Sequence, residues 1–302
     1  MRLLHTRTLK LEEFGGNEIP LYAILSHTWR ENEITFQDIE GGDAEKKVGY
    51  EKVGETCRIA KDHGFDYVWI DTCCIDKTSS AELSEAINSM YHWYQESGVC
   101  YAYLADVQFN AETMNLAKFS KSRWFIRGWT LQELIAPSMI IFLNQEWKEI
   151  GTKSSLQWMI SKITGIPANI LLRGNIESAS VAQRMSWASK RKTTRDEDLA
   201  YCLMGIFGVN MPMLYGEGEK AFIRLQEEII KVSDDHSLFA WQSYNNGGGL
   251  LATSPAAFIN SSKIIPLNSS STLSGAITVN NKGIHLNLCV MDTDSPTLAG
   301  TL

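Results

Sequence analysis

Pro20-Leu-Tyr-Ala-Ile-Leu25 is an apolar run that stops at Ser26-His27-Thr28-Trp29, as a buried parallel strand stops at a polar loop. In open α/β sheets ligands collect at such strand ends, so this stretch bears on both the fold and the place of a site. Working outward, Tyr50 to His63 carries Val53, Cys57 and Ala60 on one face with charges between them, and Gly64 follows. That spacing predicts an amphipathic helix closed by a glycine. Phe65-Asp-Tyr-Val-Trp-Ile70 reads as a second strand, ending in Asp71. Strands joined by a helix default to a right-handed parallel unit. Ser84 to Tyr94, with Ala86, Ile87, Met90 and Tyr94 on one face, is predicted as the next helix; Val99 to Leu104 and Met139 to Leu143 are predicted as the third and fourth strands. This alternation is the α/β pattern.

Between those last two strands lies Ser122-Arg-Trp-Phe-Ile-Arg-Gly-Trp-Thr-Leu-Gln-Glu-Leu134, which holds three aromatic rings, two arginines and one carboxylate. A helix opened by Trp129 would place Glu133 on the same face, one turn on. Leu131, Leu134 and Ile135 would then turn inward. Phe109 to Phe119, just upstream, reads as a loop. From Ser154 to about Val232 the signals are mainly helical, including a long helix after Gly218 with Phe222, Leu225, Ile229 and Val232 in one stripe. Beyond Asp235 the chain turns to Ser, Asn, Gly and Thr, with strand-like runs at Ser237 to Trp241, Ala276 to Val279 and Ile284 to Val290. The expected divisions are an α/β core over 1–150, a helical part over 151–235 and a β-rich extension over 236–302. The ending Ser-Pro-Thr-Leu-Ala-Gly-Thr-Leu302 has no clear structural stop, as expected of a fragment of something longer.

Composition narrows the function. The 302 residues, 44% hydrophobic and 21% charged, are long enough to bury a sizeable core. A net charge of -7, from 28 basic and 35 acidic residues, argues against binding nucleic acid through the overall field. The N-terminus lacks the apolar region of a secretory signal, and the near-apolar run from Leu134 to Leu143 is about half a membrane span. A cytoplasmic protein without a membrane segment is expected. Its six cysteines lack zinc or redox spacing and read as buried thiols in a reducing compartment.

Several motifs lose to plainer readings. Gly216-Glu-Gly-Glu-Lys-Ala221 fits a dinucleotide-loop pattern, but the run before it contains Pro212, and Glu217 and Glu219 would repel a pyrophosphate. His63, Cys73, Cys74 and His92 match no metal-ligand spacing, and no metal is expected. The basic run Arg184 to Arg195 is followed at once by Asp196-Glu-Asp198, which reads as a solvated, ion-paired helix junction.

Ala23-Ile-Leu-Ser-His-Thr-Trp29, Val68-Trp-Ile-Asp-Thr-Cys-Cys-Ile-Asp-Lys77, the Ser122–Leu134 stretch and Arg195-Asp-Glu-Asp-Leu-Ala-Tyr-Cys-Leu-Met-Gly205 together resemble the heterokaryon-incompatibility (HET) domain of filamentous fungi. The resemblance covers about residues 20 to 235. It implies non-self recognition and programmed cell death on fusion of incompatible hyphae. More distantly, the order of elements and Trp129-Thr-Leu-Gln-Glu133 resemble a Toll/interleukin-1 receptor (TIR) domain, with Thr130 where the enzymatic members have cysteine. That likeness implies a TIR-like (flavodoxin-like) parallel sheet flanked by helices, with the helical region and β-rich extension added.

The TIR likeness also implies cleavage of the nicotinamide glycosidic bond of NAD, with Glu133 as the catalytic carboxylate and NAD as substrate rather than cofactor. Ser26, His27, Trp29 and Asp71 at the polar strand ends, with Arg123, Arg127 and Trp129 of the central stretch, are the substrate-binding candidates. Of these, the tryptophans could stack on a ligand ring and the arginines could meet its phosphates. Self-association and an upstream sensor domain or protein are the expected partners. The alternative is a non-enzymatic death-signalling module that acts by self-association and recruitment.

Overall fold

Central strands buried on both faces position everything else. In the computed structural model of the chain, which describes residues 1–108, 116–242, 249–265, 277–280 and 283–285, the elements follow in order. They begin with β1 (Arg2–His5), β2 (Leu11–Glu13), β3 (Tyr22–His27), α1 (Phe36–Glu40), α2 (Tyr50–Asp62), β4 (Tyr67–Trp69), α3 (Ser80–Glu96) and β5 (Val99–Tyr103). Next are α4 (Leu116–Ser120), α5 (Thr130–Ile135), β6 (Ile140–Leu143), β7 (Glu149–Thr152), α6 (Gln157–Thr164), α7 (Ala168–Arg173), α8 (Val181–Ala188), α9 (Asp198–Tyr201), α10 (Met204–Phe207) and α11 (Lys220–Val232). A short antiparallel pair, β8 (Thr278–Asn280) and β9 (Gly283–His285), closes the described chain.

Seven strands form one sheet in the order β2-β1-β4-β3-β5-β6-β7. The inner four are parallel, and β1, β2 and β7 extend the two edges antiparallel. Taken alone, the parallel strands run second, first, third, fourth in chain order, the flavodoxin-like arrangement of a doubly wound sheet. Connections leave β3 and β5 in opposite directions, so the crevice of this order opens between their carboxyl ends. Every residue of β3, β5 and β6 is buried, and this explains their unbroken apolar character. The α/β class expected from the alternation is therefore the observed one.

Boundaries moved where pairing outweighs local polarity. Ser26 and His27, expected in a loop, are the last two residues of β3, paired with Ala102 and Tyr103 of β5. The ladder satisfies their backbone while their polar side chains stay buried. α3 begins at Ser80, four residues before the apolar face that predicted it, because the Ser79 hydroxyl accepts from the Glu82 amide and caps it. Gly64 closes α2 as expected, with φ +86° and its amide donating to Lys61 O, a conformation that favours glycine.

The N-terminal strands had no apolar alternation to announce them. Of the expected loop from Phe109 to Phe119, residues 109–115 lie outside the described residues, and Leu116–Ser120 is helical. Ser237 to Trp241 is not a strand: His236–Phe239 forms a 3₁₀ turn, started by Asp235 accepting from the Ser237 amide. The run expected from Ala276 to Val279 falls on β8, and that from Ile284 to Val290 begins within β9; positions 276 and 286–290 lie outside the described residues.

α5 packs against β3 and α3, and α10 packs against α3. The chain after residue 236 returns to α8 and α11. Ser180 donates to Ile264 O at 2.6 Å, and Gln226 both donates to Ala252 O at 2.7 Å and accepts from its amide at 3.0 Å. The approach of α10 to α3 depends on Gly205, since a Cβ there would lie 2.1 Å from Tyr91 Cβ. Gly205→Ala is expected to cost about 1–3 kcal/mol or more through overpacking. Gly54→Ala, with open space around it in α2, is expected to gain about 0.5–1 kcal/mol from helix propensity. Urea-unfolding midpoints of the two variants check the contrast.

Candidate functional site

At the carboxyl ends of β3 and β4 a cleft of about 340 Å³ opens, walled by His27, Trp29, Asp71, Arg127, Trp129 and Glu133 among others. Glu133 is only 6% exposed. All six residues of α5 are buried, so the helix carries its carboxylate inward together with Leu131, Leu134 and Ile135. The Ser26 hydroxyl donates to Glu133 Oε2 and accepts from Trp124 Nε1 at 2.7 Å. Burial pushes the Glu133 carboxyl up to about 8; Asp71 adds to the rise, while the Ser26 bond, Arg127 and Arg191 oppose it. The group is thus mostly protonated at neutral pH and carries charge above it.

A second line of polar groups runs beside this one. Lys52, 7% exposed, is ion-paired with Glu33 and stands 2.8 Å from His27 Nδ1. An ammonium can only donate, so His27 accepts at Nδ1 and carries its proton on Nε2, 2.9 Å from Asp71 Oδ1. Trp29 Nε1 donates to the other carboxylate oxygen, Oδ2, at 2.7 Å. Burial acts to raise the pKa of Asp71, but the bonds from His27 and Trp29 and the nearby Lys77 outweigh it and hold the carboxyl well below the usual range. The cleft therefore holds one carboxyl that is neutral near pH 7 and one that is firmly ionised.

Ser26, His27, Trp29, Asp71, Arg127, Trp129 and Glu133 thus converge. Ser26 lies behind Glu133 and the others line the cleft. Arg123 does not join them: it is 67% exposed, 3.7 Å from Asp106, and borders a neighbouring depression. Asp106 accepts from the Ser122 hydroxyl and the Arg123 amide, starting a turn that points this arginine away. Thr130 has a clear structural task. Its hydroxyl donates to the Trp124 and Arg127 carbonyls and accepts from Arg191 Nη1 at 2.9 Å.

Sequence reasoning passed over the far wall, made by Thr194, Arg195, Asp198 and Tyr215. Tyr215 donates to Asp198 Oδ1 at 3.1 Å, and the Arg195 guanidinium lies 4.4 Å from the Tyr215 ring centre. Arg195 and Asp198 belong to the Arg195–Gly205 motif, but their spacing reads as a solvated junction; the motif itself is the available signal. Lys77 was likewise quoted without a role. The rejected Gly216–Ala221 loop does bind an anion, one from its own chain: the amides of Gly216 and Gly218 donate to Glu197 Oε1 at 2.7 and 3.0 Å.

Comparison with known proteins places these residues in a family context. Residues 22–118 match the family model Heterokaryon incompatibility protein (HET), which takes in Ser26, His27, Trp29, Asp71 and Lys77 and stops short of Glu133. Residues 220–272 match a Domain of unknown function (DUF8212). Over 228 residues, 73% of the chain, the sequence is 46% identical to the Vegetative incompatibility protein HET-E-1 of Podospora anserina. The chain spans 17% of that protein's length. No solved structure matches the chain. The likeness to heterokaryon incompatibility proteins is thus supported both by a family model and by a relative.

Two outcomes follow from the site's chemistry. With its folded value near 8 against an ordinary 4.5, Glu133 holds a proton in the folded state that the unfolded chain gives up. Stability therefore falls as pH rises from about 4.5 to 8 and levels off above, by an amount on the order of a few kcal/mol. Glu133→Gln should flatten this slope in urea unfolding measured between pH 5 and 9. Thr130→Val, which takes one of its hydrogen-bond acceptors from the buried Arg191 and leaves it the Arg127 and Trp187 carbonyls, is expected to cost about 1–3 kcal/mol in the same assay.

Proposed function

We propose that this chain, similar in sequence to a vegetative incompatibility protein and to the HET family, is a death-triggering domain of fungal non-self recognition that acts by hydrolysing the nicotinamide glycosidic bond of NAD. The observation that carries the reading is Glu133: a buried carboxylate held by Ser26 at the carboxyl end of β3, in a cleft that Trp29, Trp129 and Arg127 also line. The flavodoxin-like order of the parallel strands supports the TIR-like part of the proposal, because ligands bind at this crevice in such sheets.

The chemistry suits one carboxylate. Nicotinamide leaves as a neutral molecule, so no general acid is required at the leaving group. As its bond to the ribose breaks, positive charge develops on the sugar, and an anion in a desolvated pocket stabilises it. Glu133 in its ionised form supplies that anion and an acceptor for ribose hydroxyls. Water then completes the reaction to ADP-ribose. Trp29, with its indole fixed through Asp71, and Trp129 offer faces for the leaving ring. Ser26 and Trp124 orient the carboxylate from behind.

The non-enzymatic alternative, killing by self-association and partner recruitment, is favoured by large apolar side chains left on the surface. Trp158 on α6 is 76% exposed and Val48 is 83% exposed. The two readings separate in an NAD-depletion assay on oligomerised protein. Hydrolysis through Glu133 predicts that Glu133→Ala abolishes NAD loss. It also predicts that the wild-type rate climbs about tenfold per pH unit below about 8 and levels off above, as the carboxylate forms. Equal NAD loss in both proteins removes Glu133 from the chemistry, and cell killing without NAD loss favours the alternative.

A further inference from the structure

Among the described residues, three cations of the cleft wall have no protein acceptor. Lys77, Arg127 and Arg195 all line the cleft. Among the described residues none of their side chains donates a hydrogen bond or stands within ion-pair distance of a carboxylate; what they touch is aromatic. Lys77 Nζ lies 3.7 Å from the Trp29 ring centre, Arg127 lies 5.8 Å from the same ring, and Arg195 lies 4.4 Å from the Tyr215 ring. The carboxylates of the same cleft are engaged elsewhere: Asp71 by His27 and Trp29, Asp198 by Tyr215, and Glu133 by Ser26. Burial already pulls Lys77 below the ordinary lysine range, and an arriving anion would relieve that.

Arg195 is brought there by a close backbone junction. Gly128 N donates to Lys192 O at 2.8 Å, and Lys192 N donates to Ile126 O at 2.7 Å, in a parallel bridge between the segments of Arg127 and Lys192. A Cβ at Gly128 would come within 2.4 Å of Thr193 Cγ2, so the approach requires a glycine. One strap thus carries Arg127 on the sheet side and Arg195 on the side of the helical layer. Ile75, Leu83, Ile87 and Met90 line the same cleft and give it an apolar part. Cations and apolar side chains lining one cleft suit a ring-bearing phosphate ester, and about 340 Å³ is within the range of small-molecule sites.

We propose that Lys77, Arg127 and Arg195 form a clamp for a diphosphate-bearing ligand, and that Arg195 is the residue through which the helical layer sets this requirement. Three cations from separate segments match two linked phosphate groups, terminal as in ADP or bridging as in a dinucleotide, better than the one group of a monophosphate. The proposal rests on the cleft being the ligand site described above, and it does not require that any glycosidic bond be cleaved.

Isothermal titration of the full chain with ADP, AMP and adenosine tests it, with inorganic pyrophosphate as competitor. The expected order is ADP, then AMP about tenfold weaker, with adenosine weaker still. Arg195→Gln and Lys77→Met should each weaken ADP by about tenfold. Arg58→Gln, an exposed ion-paired change on α2, should leave it unaltered, and circular dichroism verifies that each variant folds. Absence of ADP binding at millimolar concentration overturns the clamp, as does ADP affinity unchanged in both cleft variants or lowered equally by Arg58→Gln. If ADP binding depends on Arg195 while the oligomerised wild-type protein consumes no NAD, the hydrolytic reading fails and the clamp stands.

Discussion

The buried hydrogen bond from Ser26 to Glu133 is the interaction on which the cleft depends. It joins the end of β3 to α5, a helix of six residues too short to be stable alone. A carboxylate taken out of water is costly unless it is partnered or neutral. Here the protein combines the two: the Ser26 hydroxyl contact, backed by Trp124, and a pKa raised far enough for the group to hold its proton near neutrality. Beside it, His27 and Trp29 keep Asp71 ionised. Two carboxyls of one cleft are thereby driven apart in their titration, a separation that often marks sites of acid-base or electrostatic chemistry.

The helical layer is tied to this centre by one buried arginine. Arg191 donates to the Arg127 carbonyl at 2.8 Å, to Thr130 and to the Trp187 carbonyl at 3.3 Å. Burial pulls it down to about 10, against the pull of Cys202 and Glu133, so it remains a cation. Its position explains why the residue after Trp129 bears a hydroxyl. Thr130 accepts from Arg191 and donates to the turn before the helix, so it belongs to the support of α5. The same strap of chain then runs on to Thr194, Arg195 and Asp198 on the far wall. Neither the sheet nor the helical layer makes the cleft alone.

The sequence signals succeeded where one physical cause dominated locally. Apolar runs marked β3, β5 and β6 because burial on both faces leaves no room for alternation, and the stripe of α11 marked a helix against a core. They were weak at strand ends and edges. Ser26 and His27 are polar, so they read as loop, although their pairing with β5 keeps them in the strand. β1 and β2 are short strands, a hairpin that β1 joins to the sheet through β4, a strand some sixty residues on. Arg123 and Arg127 are indistinguishable by type and spacing, yet a turn started by Asp106 sends one outside and the other into the cleft.

What the sequence determined by itself is the class of the fold and the inward direction of Glu133's neighbours. Both follow from periodicity, which each segment carries within itself. It also carried the motifs that resemble the HET family. The tertiary structure alone decided that Ser26 and Glu133, 107 residues apart, share a hydrogen bond. It alone decided that Glu133 holds its proton, and that Arg195 lines one cleft with Lys77 and Arg127. Burial, and the field of groups distant in the chain, set protonation and convergence. Neither exists until the strands have found their order.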